Sequence, residues 1–160
     1  MNQENLAKYL RAITIGVGVL GLFLCFWLFP FLGKELISQK GVSYEEWYYP
    51  WLFLCWAVVL PCYFILFQFW GIVKEIGNDN SFCQENVVRL KKISQSCMVS
   101  LLILFVGNIV YFIMGWNQLG AFLLCMVIVC AGLVLAVLSA ALSHLVYKAV
   151  MLKEENELTI

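Results

Sequence analysis

Residues 12–33, 50–73, 97–115 and 120–147 contain no Asp, Glu, Lys or Arg. Each run approaches or exceeds the roughly 20 helical residues that cross a bilayer core, and no other feature constrains the fold as strongly. In hydrocarbon every backbone N–H and C=O must find its partner inside the protein, so such runs cross as helices. Composition agrees: 63% of the 160 residues are hydrophobic and 12% are charged, against about half and about a quarter in a soluble domain. The expected fold class is all-α: a polytopic membrane protein, a single domain over 1–160 forming a four-transmembrane-helix bundle, with loop 74–96 and tail 148–160 outside the spans.

Lys8 and Arg11 precede the first run, as in a signal peptide. The run exceeds a signal core, and no small-x-small cleavage site follows at Gly33-Lys34-Glu35, so it reads as a retained helix. Pro50 suits a first-turn position of the second span. Pro61 is expected to bend or break that helix and leave a carbonyl to be satisfied locally. The fourth run exceeds what a bilayer requires and should tilt or project into water. Trp116-Asn117-Gln118-Leu119 makes a tight antiparallel turn before it.

Ten Lys plus Arg balance ten Asp plus Glu, leaving no global basic field for direct nucleic-acid binding. Their placement says more than their sum. An even number of spans puts Lys8, Arg11, Lys74, Arg89, Lys91, Lys92, Lys148 and Lys153 on one side and only Lys34 and Lys40 on the other. The positive-inside rule then assigns both termini to the cytoplasm. Tyr44, Trp47, Tyr48, Tyr49, Trp51 and Trp116 fall at the opposite interface, where amphipathic rings prefer the headgroup layer.

Of the seven cysteines, Cys25, Cys55, Cys62, Cys125 and Cys130 lie in apolar runs, Cys97 at a span boundary and Cys83 in loop 74–96. None falls in an external loop, so neither a disulfide framework nor a Cys/His metal site is expected. Cofactors are likewise expected to be none. Gly16-Val-Gly18-Val-Leu-Gly21 matches the letters of a dinucleotide fingerprint without the preceding strand or following acid. Glycines in an apolar span serve close helix packing instead.

Asn108, near the centre of the third span, needs a partner and should face another helix. Gln68 and His144 lie near the span ends. The spans lack the mid-membrane ionisable groups of ion-coupled transporters, and no nucleophile with a base is present, so no enzyme activity is expected.

Loop 74–96 and the tail are more specified than connection requires. Ser81 and Gln84 have capping-box spacing, so a helix should start near Phe82. Glu85 and Arg89 are spaced i,i+4 in the favourable order. The tail should continue the fourth helix, placing Glu154, Glu155 and Glu157 near a C-terminus, where the macrodipole disfavours negative charge. Docking on a basic surface such as Arg89, Lys91 and Lys92, or on a partner, would relieve this and cover Leu158 and Ile160.

Ser81-Phe-Cys-Gln-Glu-Asn86 followed by Arg89-Leu-Lys-Lys-Ile93, and the ending Lys148-Ala-Val-Met-Leu-Lys-Glu-Glu-Asn-Glu-Leu-Thr-Ile160, resemble the domain-of-unknown-function 2975 family. The resemblance implies a multi-pass protein of the bacterial cytoplasmic (inner) membrane, with no established catalytic residues. It also implies, by gene neighbourhood alone, a small Cro/C1-type helix-turn-helix regulator as partner. The reading that follows is a non-enzymatic membrane protein that binds such a regulator through Arg89, Lys91, Lys92, Glu154, Glu155, Glu157, Leu158 and Ile160. The alternative is a small transporter or export/immunity protein, which would rely on Asn108, Pro61, Gln68 or a cavity between the helices.

Overall fold

The computed structural model of the chain describes residues 3–38, 44–78, 80–117 and 119–157. Five α-helices follow in order: α1 (Gln3–Phe23), α2 (Phe29–Ser38), α3 (Tyr44–Gly77), α4 (Gln84–Ile113) and α5 (Leu119–Glu157). A π-helical turn, Leu24–Leu28, joins α1 to α2. Its cause is Pro30, which has no N–H and crowds the carbonyl four residues back; the chain inserts an extra residue, and the Phe29 N–H bonds to the Leu24 carbonyl. Four candidate spans result: Asn5–Lys34, Tyr48–Gly77, Gln84–Ile113 and Leu119–Asn156. The architecture is all-α with four long apolar helices.

The helices overrun the uncharged runs at both ends, except that α4 stops at Ile113, two residues short of its run. Pro50 is not a first-turn residue, because the aromatic segment before it is already helical and α3 starts at Tyr44. Pro61 does not interrupt α3 either. The Val58 carbonyl, next to the Ala57 carbonyl that loses its helical donor at Pro61, accepts from Ser100 Oγ of α4 at 3.0 Å and from Cys62 Sγ at 3.4 Å. In α4 the expected start near Phe82 moves to Gln84, with Cys83 as N-cap and no side-chain cap. The capping box is replaced by Asn86, whose Nδ2 donates to the Ser81 carbonyl at 3.0 Å.

Each helix packs antiparallel on its chain neighbours, in the order α1–α3–α4–α5. On the α1–α3 seam, Tyr63 Oη donates to the Gly18 carbonyl at 2.9 Å and lies where a Cβ on Gly21 would fall, 2.8 Å away. That close approach fits the packing role expected of the glycine cluster at Gly21 alone, because a Cβ on Gly16 or Gly18 would meet nothing within 4 Å. On the α3–α4 seam Leu54 covers Gly107, and on the α4–α5 seam Leu101 covers Gly132. Small residues let the backbones approach where lipid offers no hydrophobic drive.

The α4–α5 register is fixed by four side-chain bonds to the facing backbone. Ser143 Oγ donates to the Val87 carbonyl at 3.0 Å, Ser94 Oγ to Ala136 at 2.9 Å, Cys97 Sγ to Gly132 at 3.6 Å and Asn108 Nδ2 to Phe122 at 3.2 Å. The paired positions total 229 or 230 in every case. The buried stripe of α5, Val129, Ala136, Ser143 and Val150, repeats every seven residues, the spacing of a left-handed helix seam. The rest of α5 exposes Leu123, Val127, Val134 and Leu138, as lipid-facing surface should.

Both described ends of the chain emerge on the same side. Tyr48 packs against Tyr49 and Tyr111 against Trp116, with ring centroids 5.5 and 5.4 Å apart, forming the aromatic layer at the opposite end. All seven cysteines are free thiols. Asn108 lies five residues before the end of α4 and accepts from Asn117 Nδ2 at 2.6 Å. It therefore faces α5, as expected, and ties down the turn between the helices.

Candidate interaction surface at the end carrying the termini

This end of the bundle has a packed core. Val73 is fully buried, Asn86 is 2% exposed, and Ala7, Ile72, Ile93, Ser143 and Val150 are buried around them. Gly77 closes α3 against Arg11 and Ala7 of α1, where a Cβ would meet Nη2 at 3.1 Å and the Ala7 methyl at 3.3 Å. The turn then folds back on Glu75, whose carbonyl accepts from the Asn78 and Asn80 N–H groups at 3.1 and 3.0 Å. Asn86 fastens the entry to α4 through Ser81. Its Oδ1 is buried and has no partner among the described residues.

The three basic residues expected to form one surface point in different directions. Arg89 enters the α3–α4 seam, its guanidinium lying against Gly71. Its side chain is 29% exposed, its Nε is buried without a partner among the described residues, and Nη2 reaches Glu85 Oε2 at 3.5 Å. Glu85 is 70% exposed there, so the pair is a weak one. Lys91 turns toward α5 and lines a groove with Gln95, Ser143, His144 and Tyr147. Lys92 is exposed.

The tail is helical through Glu157. In the register above Gln84 stands level with Val146, so residues 147–157 overhang α4 by roughly 16 Å at 1.5 Å per residue. Glu154 and Glu155 are exposed on this overhang. They stand about 20 Å along α5 from the level of Arg89, at the same rise per residue. The structure thus does not bring them onto Arg89, Lys91 and Lys92. Glu157 ends α5, and Leu158 and Ile160 lie outside the described residues, as does Lys40.

The sequence alone does not reveal the pairing of Arg89 with Gly71 or the shared groove of Lys91 and His144. The seven-residue spacing of small residues along α5 was the available signal for the second. Among the described residues no three His, Cys, Asp or Glu side chains are grouped to hold a metal.

A relative in Bacillus subtilis (strain 168), described as uncharacterized membrane protein YoaS, is 28% identical over 156 residues, covering 95% of this chain and 96% of that protein. No solved structure matches. The family model described as "Protein of unknown function (DUF2975)" matches residues 35–160, and the chain belongs to that family.

Proposed function

We propose that this membrane protein is a non-enzymatic anchor in the bacterial cytoplasmic membrane, whose termini-bearing end faces the cytoplasm and holds a small helix-turn-helix regulator. The orientation rests on the eight-to-two distribution of basic residues. The regulator class rests on the gene neighbourhood that the family resemblance implies, and on nothing in the loop and tail themselves. The observation that carries the reading is the overhang of α5. Eleven residues of helix, 147–157, extend past the end of α4, a greater length than membrane crossing requires. They present exposed Lys148, Glu154 and Glu155 clear of the bundle, on the same side of the membrane as exposed Lys92. A helix offered beyond its scaffold is a common recognition element for a soluble partner.

Asn108, on which the transport alternative leaned, already bonds to Phe122 and Asn117. Its amide is therefore committed to the turn between α4 and α5.

Crosslinking of tagged protein in native membranes, followed by capture in detergent, tests the proposal. A helix-turn-helix protein should co-purify, and charge reversal at Lys92, Glu154 and Glu155 should reduce its yield. Recovery of the same regulator in equal amount from the charge-reversed variant, or of none from the unaltered protein, sinks the reading.

A further inference from the structure

An open groove of about 390 Å³ runs between α4 and α5, from Val87 to Gln95 on one side and Ala140 to Tyr147 on the other. Its floor is closed, because the hydroxyls of Ser94 and Ser143 are spent on the carbonyls of Ala136 and Val87. Its rim is rich in donors: Lys91, Gln95, His144 and Tyr147 line it. None of these four makes a hydrogen bond or ion pair among the described residues. Among the described residues no carboxylate lines the groove, and Glu85, the acid of this part of α4, is turned to Arg89.

The depth of the groove is set by where charge resumes along the helices. From Ile93 to Ile113, α4 has no Asp, Glu, Lys or Arg, and α5 has none from Leu119 to Tyr147, with His144 its first basic side chain. The uncharged part of α4 is about 31 Å long at 1.5 Å per residue, one hydrocarbon thickness. Lys91 and His144 therefore stand where the helices leave the hydrocarbon. Toward the membrane centre the same faces turn apolar. Met98 and Leu102 follow Lys91 at helical spacing, and Val137 and Leu133 precede His144 likewise. All four side chains are accessible, from 39% exposed at Leu133 to 64% at Leu102 and Val137.

The geometry points to a binding site for an anionic glycerophospholipid. Its phosphate sits on the Lys91 ammonium and the donors of Gln95, His144 and Tyr147, and an acyl chain lies along Met98, Leu102, Leu133 and Val137. Basic pockets between spans at the interface recognise such headgroups. A zwitterionic lipid would bring its own cation against Lys91.

The test is native mass spectrometry of the full chain released from nanodiscs containing phosphatidylglycerol and phosphatidylcholine in equal parts. Phosphatidylglycerol should be retained in preference. Lys91→Ala should lower its retention about five-fold, the equivalent of ~1 kcal/mol for one interfacial cation, and adding His144→Ala should lower it further. Lys92→Ala, on another face of α4, should leave it unchanged, and Lys91→Arg should preserve it. Absence of a preference overturns the proposal. So does equal loss in Lys92→Ala, which would mean diffuse surface charge, and so does displacement by inorganic phosphate, which would mean a soluble-anion site. Loss in Lys91→Arg as complete as in Lys91→Ala, in a protein of unchanged helicity, also overturns it.

Discussion

The guanidinium of Arg89 occupies the space that a Cβ at position 71 would fill, so Gly71 and Arg89 are a matched pair across the α3–α4 seam. The smallest residue of α3 makes room for the longest side chain of this part of α4. This diverts Arg89 from the surface that Lys92 occupies and leaves its Nη2 within 3.5 Å of the exposed Glu85.

Gly71→Val should therefore destabilise the protein by about 1–3 kcal/mol, the usual cost of overpacking. Most of that loss should vanish in an Arg89→Ala background. Gly16→Ala supplies the contrast: a Cβ there meets nothing within 4 Å, and helix propensity should make the change neutral or stabilising by about 0.5–1 kcal/mol. Unfolding in mixed micelles, arranged as a double-mutant cycle, reads the coupling directly. Equal cost of Gly71→Val with and without Arg89 would show that the contact is not its cause.

Asn108→Leu should cost about 0.6–1.7 kcal/mol, the range for interhelical hydrogen bonds in membranes. Two bonds are lost, to the Phe122 carbonyl at 3.2 Å and from Asn117 at 2.6 Å. Asn117→Ala should cost less and should add little in the Asn108→Leu background. An Asn108→Leu variant of unchanged stability would contradict this assignment.

Orientation gives a qualitative prediction. In a background free of the native cysteines, a thiol at position 83 should resist an impermeant reagent applied to intact cells, whereas Trp116→Cys should react. The eight-to-two basic asymmetry sets the direction, and the structure sets the pairing, because Cys83 caps the start of α4 and position 116 lies two residues past its C-cap, Met114. The reverse labelling pattern would place the termini outside.

The spans were legible because exclusion of charge from about twenty consecutive residues is a direct consequence of the solvent. Helix ends were less so. Pro50 looked like a first-turn residue, yet helix continues through the aromatic layer back to Tyr44. Ser81 and Gln84 had the spacing of a capping box, but Asn86 uses the Ser81 carbonyl instead. The positions of Arg89 and Lys91 depend on helix register, and register comes from residues far apart in sequence. Lys91 shares a groove with His144 only because Ser94, Cys97, Asn108 and Ser143 fasten α4 to α5 at fixed carbonyls. Alternation of polar and apolar letters carries no trace of that pairing.

The overhang of α5 leads to the last prediction. Val150 is 5% exposed although it lies past the level of Gln84. The register places it beside the connection between α3 and α4, so the first turn of the overhang is anchored. Beyond it, residues 151–156 are exposed and contribute little burial to the fold. Deleting 154–160 should then leave membrane insertion unchanged and stability within about 0.5 kcal/mol, as for surface changes generally. Val150→Asp should instead destabilise the end carrying the termini, because a buried charge without a partner is costly. If the overhang holds a regulator, the same deletion should weaken crosslinked capture while insertion and stability persist. Protease protection in inside-out vesicles and unfolding in mixed micelles separate the two effects. Undiminished capture after the deletion, combined with charge reversal at Arg89, Lys91 and Lys92, would remove the loop and tail as the binding surface.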